Sequence, residues 1–152
     1  MKSDSIKKLA SNRKAFHDYF IEESIEAGIE LCGTEVKSVR GGNLNLKDSW
    51  CEIKNGEMWL RSMHISPYEN GNVFNRDPVR TRRLLLHKRE TLRFFSIIKQ
   101  EGLTLIPLSV YLKGSHVKVQ VGLCKGKKNY DKREAIARKT AARDMERSMK
   151  SR

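Results

Sequence analysis

The sequence is short of acids, aromatics and proline. Against 31 Lys+Arg stand 18 Asp+Glu, so the formal charge is +13 and the pI is near 9.9. No run of about 18 apolar residues exists, the length a membrane-spanning helix needs. Met1 to Ala15 carries charges but no apolar stretch, which is not the pattern of a secretory signal. The cysteines, Cys32, Cys51 and Cys124, are odd in number and far apart. They read as reduced thiols of a cytoplasmic protein rather than as a disulfide frame. CxxC and paired Cys/His spacings are missing, and with them any zinc pattern. Gly122 to Lys128 is rich in glycine and lysine but lacks the GxxxxGK(S/T) spacing of a phosphate loop. No cysteine or serine has a base at a recognisable spacing. Catalytic residues, a metal and a cofactor are therefore not expected.

What is present is a single domain's length, 152 residues, and an uneven excess of bases. Residues 1–24 carry five bases and four acids; residues 125–152 carry eleven and four. More than half of the excess thus lies in the last 28 residues. A second basic block runs from Arg76 to Arg93. Any one such run reads equally well as a solvated face; two of them at this pI point to a polyanion, nucleic acid first. A basic membrane-surface helix is the rival, but the C-terminal run lacks the Trp/Phe/Leu face that inserts.

Strand patterns dominate the middle. His17–Ile21 and Ser24–Leu31 read as two strands, the second with Ile25, Ala27, Ile29 and Leu31 on one face. Thr34–Arg40 reads as a short helix ended by Gly41-Gly42. Lys47–Ile53 and Glu57–Ile65 flank Asn55-Gly56, a hairpin signal because both turn residues tolerate positive φ. Ser66–Arg80 reads as a polar loop. Lys88–Gln100 reads as a helix with Leu92, Phe95 and Ile98 as its buried stripe and Gly102 as its C-cap. Leu103–Lys113 and His116–Lys125 form a second hairpin. No internal repeat is evident. About six strands without βαβ alternation predict a mainly β fold, a six-stranded antiparallel OB-type barrel with small flanking helices. The organisation expected is a flexible N-terminus over 1–11, a β-barrel domain over 12–125 and a basic tail over 126–152. In the tail, Asp131 and Glu134 resemble a capping box, and Ala137, Ala141, Met145 and Met149 recur every four residues. That thin apolar line predicts a helix that forms only on binding RNA.

Several blocks, in order, resemble the family of small protein B, bacterial proteins that bind transfer-messenger RNA. They are Asn12-Arg13-Lys14-Ala15, His17 to Glu23, Glu26-Ala27-Gly28, Gly33 to Arg40, His64 to Tyr68, Asp77-Pro78 and Arg83 to Glu90. Gly102-Leu103-Thr104, Val117-Lys118-Val119 and Gly126 to Arg133 complete the set. The resemblance spans roughly residues 11–150. It implies binding to the tRNA-like domain of transfer-messenger RNA in trans-translation, which rescues stalled ribosomes and tags the unfinished chain for proteolysis. It also implies a ribosomal partner, with the tail in the empty message channel near the decoding centre, and elongation factor Tu in the delivery complex.

The resemblance implies an RNA face made of Asn12, Arg13, Lys14, His17, Tyr19, Glu26, Lys37, Arg40, Arg83, Leu85 and Lys118. Arg and Lys would neutralise phosphates, and His17 and Tyr19 would stack on unpaired bases. Glu26 would accept from a base amine or a 2′-OH, or orient an arginine; it reads otherwise as a solvated strand residue. Tyr19 fits a core equally well, and Leu85, within Leu84-Leu85-Leu86, is a core residue by default. In the tail, Lys127, Lys128, Lys132 and Arg133 would meet ribosomal RNA, Tyr130 would stack at the decoding centre and Asp131 would cap the induced helix. Phe16 and Asn43 stand where the family commonly has a basic residue, and Trp50 where it has Tyr.

Overall fold

The alternation that begins at Tyr19 builds one long strand rather than two. In the computed structural model, which describes residues 5–68 and 75–127, β2 runs unbroken over Tyr19–Ile29. A bulge between Ile21 and Glu23 lies where the two expected strands were separated by Glu22-Glu23. His17 and Asp18 belong instead to a short helix, α1 (Arg13–Asp18). Asn12 caps it: its Oδ1 accepts from the Ala15 amide at 3.1 Å.

The N-terminus departs most from expectation. Residues Ile6–Ser11, expected to be mobile, form β1. This strand pairs antiparallel with β8 (Thr104–Lys113), from Ile6 opposite Lys113 to Ser11 opposite Ser109. Backbone pairing holds a segment whose side chains gave no apolar signal. The elements between are α2 (Gly33–Arg40), β3 (Leu44–Asn45), β4 (Trp50–Lys54), β5 (Glu57–Arg61), β6 (His64–Ile65), β7 (Arg82–Leu85) and α3 (Lys88–Glu101). The last described strand is β9 (His116–Gly126).

Six strands close a ring in the order β8-β4-β5-β7-β2-β9, with β9 returning to β8. All these pairings are antiparallel, and β3 with β6 forms a separate two-stranded sheet. The barrel class and its ring of six are as expected, but the membership differs. The two strands expected over 17–31 are one, and β7 is new. Asn55 and Gly56 have φ of 54° and 76°, as the β4–β5 turn signal predicted.

The core is filled by Val39, Met58, Leu60, Leu84, Phe94, Leu105, Val110, Val119, Val121 and Leu123. On α3 the buried side chains are Thr91 and Phe94, whereas Leu92 and Phe95 are 48% and 36% exposed. The stripe is thus rotated by one position from the sequence reading, which let the larger apolar residues choose the face. Cys51 and Cys124 are buried free thiols, and burial raises the Cys124 pKa to about 11.

A buried ionic knot ties α2 to β7. Glu35 is 4% exposed and Arg82 is 0% exposed. Glu35 Oε1 accepts from the Cys32 amide at 2.9 Å and from Arg80 Nη2 at 2.5 Å, while Oε2 accepts from Arg82 Nε at 2.6 Å. Arg82 also donates to the carbonyls of Met63 and Pro78, at 2.6 and 3.1 Å. One carboxylate and one guanidinium thereby hold the start of α2 and both ends of the long loop.

Close packing makes Gly122 irreplaceable. A Cβ there would lie 2.7, 2.9 and 3.0 Å from Cδ1, Cγ and Cδ2 of Leu108, itself 2% exposed. Gly122→Ala is expected to lower unfolding free energy by about 1–3 kcal/mol. A urea midpoint equal to that of the parent would refute this packing.

Candidate nucleic-acid interface

One line of side chains crosses the outer face of five neighbouring strands. Leu85 on β7 is opposite Gly28 on β2, Gly28 is opposite Lys118 on β9, Lys118 is opposite Tyr111 on β8, and Tyr111 is opposite Lys8 on β1. Paired residues share a face, so these five point the same way. Leu85 is 46% exposed, which settles that the face is the outer one. It is therefore not a core residue despite its Leu84-Leu85-Leu86 setting: Leu84 points in, and strand alternation sends Leu85 out. Gly28 leaves this line low; a Cβ there would sit 3.2 Å from Leu85 Cβ.

Glu26 and Arg83 lie two residues from Gly28 and Leu85 on the same face. Lys113 Nζ approaches Glu26 Oε1 at 3.5 Å. Tyr111 hydrogen-bonds the same carboxylate; burial and that bond together push its phenol above its ordinary range. Glu26 is thus an exposed strand carboxylate held by two neighbours, Tyr111 and Lys113. Arg83 pairs with Glu57 at 3.3 Å at an exposed site, a contact worth little by itself and open to exchange for a phosphate. Tyr111, Lys113 and Lys8 were missed from the sequence. For Tyr111 the alternation of β8 was there to read, but only the register across β9 places it beside Glu26.

The other expected residues fall into two further places. Arg40, at the end of α2, donates to the Ser115 carbonyl at 3.1 Å and so reaches the β8–β9 turn. Lys37 Nζ stands 5.2 Å above the Tyr68 ring. At the opposite end of β2 sits α1. Arg13 and Lys14 are exposed there, with Lys14 3.7 Å from Asp48. His17 Nδ1 is 2.8 Å from Asp18 Oδ1. Tyr19 is half-buried against Ala15, Ile106, Leu108 and Cys124, so it packs on the barrel and also lines a groove of about 350 Å³ with Lys14, Asp48 and Trp50.

Asn12 does not join the face. It is 8% exposed, and besides capping α1 its Nδ2 donates to the Pro107 carbonyl at 3.0 Å. Its side chain is used by the fold. Lys127, assigned to the tail, is held on the barrel: its amide donates to Asp18 O at 2.9 Å and its Nζ to Phe16 O at 3.4 Å. Lys128, Tyr130, Asp131, Lys132 and Arg133, with the expected tail helix, lie outside the described residues. Tyr19 and Gly28 stand nine residues apart, about 30 Å along an extended strand. The outer-face line and the α1 residues therefore lie toward opposite ends of β2, with Lys37 and Arg40 on α2 as a third group.

A family model described as SmpB protein matches residues 9–151. The chain belongs to the SmpB family. Curated relatives are named SsrA-binding protein. That of Clostridium kluyveri is 63% identical over 146 residues, covering 96% of this chain and 93% of the relative. That of Clostridium tetani is 60% identical over 152 residues, covering 100% and 97%. A solved structure described as "tmRNA-SmpB: a journey to the center of the bacterial ribosome" holds a chain 45% identical to this one. It aligns with a TM-score of 0.66 over 84% of this chain and 93% of that one. The ring described above thus shares its fold with that chain.

Proposed function

We propose that the chain binds the tRNA-like domain of transfer-messenger RNA and acts in trans-translation, rescuing stalled ribosomes. The observation that carries this reading is the outer-face line through Leu85, Gly28, Lys118 and Tyr111, with Glu26 held beside it, in a chain of the SmpB family. Lys118 has no carboxylate in ion-pair range among the described residues, so its charge is available to a phosphate. Glu26, fixed by Tyr111 and Lys113, can accept from a base amine or a 2′-hydroxyl. Arg13, Lys14 and His17 at the far end of β2 give a second anchor for the same folded RNA. A footprint of about 30 Å suits a folded RNA better than a short single strand.

The finer parts of the reading follow the family. Residues 128–152 enter the empty message channel and become helical there, with Lys128, Lys132 and Arg133 on ribosomal RNA phosphates, Tyr130 stacked at the decoding centre and Asp131 capping. Elongation factor Tu joins the delivery complex, and the site of action is the cytoplasm. The chain serves as an adaptor, not a catalyst.

Sequencing the RNA that co-purifies with the full chain tests the reading. One tRNA-like RNA should be enriched over ribosomal RNA. Ribosomal RNA in bulk, with growth state making no difference, would instead mark a resident ribosomal protein.

A further inference from the structure

A cluster outside that line is unused by it. Phe16 near the end of α1 and Phe20 at the start of β2 are 50% and 45% exposed. One lysine joins them: Lys127 Nζ donates to the Phe16 carbonyl at 3.4 Å and stands 5.0 Å from the centroid of the Phe20 ring. The Lys127 amide is bonded to Asp18 O at 2.9 Å, so the charge is anchored there. Lys125, exposed, is the register partner of Phe20 on β9. Arg13, exposed, lies one helical turn before Phe16. A single exposed phenylalanine needs no explanation. Two of them close in sequence, one ring under the Lys127 ammonium and the other residue bonded to that ammonium through its backbone carbonyl, with two more cations beside them, form a shelf with a definite chemistry.

The occupant must bring a flat apolar surface for the rings and negative charge for the cations. An unpaired nucleotide brings both: its base stacks and its phosphate meets the ammonium. The chain's own continuation is the nearest competitor, since it leaves the barrel at Lys127. It carries nine bases against four acids over 128–152, so the three cations repel it. We infer that the Phe16–Phe20 shelf is a stacking site for an unpaired nucleotide, at the root of the tail. The inference rests on the chain being RNA-binding, and not on which RNA the barrel recognises. Phe16, where the resemblance led one to expect a base, then exchanges a phosphate contact for a stacking one. The shelf lies where the barrel ends and the tail begins, so a nucleotide held there links the RNA on one to the RNA met by the other.

The test uses the full chain and a short single-stranded RNA with a central 2-aminopurine, whose emission falls when it stacks. The parent should bind and quench it. The double variant Phe16→Leu, Phe20→Leu keeps an apolar surface without a ring face. It should bind roughly tenfold more weakly and leave the emission high, with an unchanged melting curve. Phe16→Trp should quench at least as strongly as the parent. Equal quenching by the leucine variant overturns the inference. So does unquenched probe with the parent chain, the result expected if the tail or a protein covers the shelf. Binding of a tRNA-like RNA to the same parent sample reports separately: if it binds while the probe does not, only the shelf fails.

Discussion

Glu35→Ala should lower the unfolding free energy by about 3–5 kcal/mol, a large part of what a domain of this size possesses. The substitution strands Arg82, which has no exposed surface, without its carboxylate and frees Arg80 and the Cys32 amide at the same stroke. The paired change Glu35→Leu with Arg82→Met should recover much of the loss, because the cost comes from an uncompensated buried charge rather than from a missing attraction. Acid offers a second readout. Burial acts to raise the Glu35 pKa, but Arg80, the Cys32 amide and Arg82 outweigh it, so the folded value lies below the ordinary 4.5. The native state then prefers the ionised carboxylate. Its contribution is complete above about pH 4.5 and fades as pH drops through the lower folded value. Urea midpoints measured down this range should decline in the parent and lose that component in Glu35→Ala. A variant as stable as the parent, with the same acid profile, would show that the knot contributes nothing.

Ending the chain after Lys127 should separate the two activities. Lys127 is the last described residue and is bonded to Asp18, so the barrel stays whole. Binding to a tRNA-like RNA should persist, because Glu26, Arg83, Leu85 and Lys118 are untouched. Tagging on stalled ribosomes should fall to background, because the segment proposed for the message channel is gone. The removed residues carry nine bases. If about five of them meet phosphates, the salt dependence of ribosome binding should flatten by roughly 4 to 4.5 log units per decade, on a duplex-type slope. Tagging by the shortened chain would sink the division of labour between barrel and tail.

Much of this fold could be read from side-chain alternation. The strands β8 and β9 and the Asn55-Gly56 turn follow directly from it. What escaped did so for physical reasons. The strand β7 was hidden because one of its two inward residues is Arg82, a charge buried on a partner 47 positions away, and hydropathy treats arginine as surface. The strand β1 is held by backbone pairing and by only two inward side chains, Leu9 and Ala10, too few to leave a pattern. In the candidate site, Glu26, Arg83 and Lys118 were recognisable from their motifs, and their grouping came from strand register. The capping role of Asn12 was not legible, since a capping asparagine and an RNA-binding one look alike in sequence. Tyr111 escaped because its partner is two strands removed.

The ring has a consequence for biosynthesis. Its first strand, β2, pairs with residues synthesised about a hundred positions later, as Tyr19 opposite Gly126 shows, and closure waits for β9. Such high contact order makes folding slow and late. A nascent chain abandoned anywhere before β9 has no way to seal its sheet and leaves unsatisfied edges for proteases. A protein read as clearing broken messages is thus one whose own interrupted synthesis leaves a fragment in need of clearing.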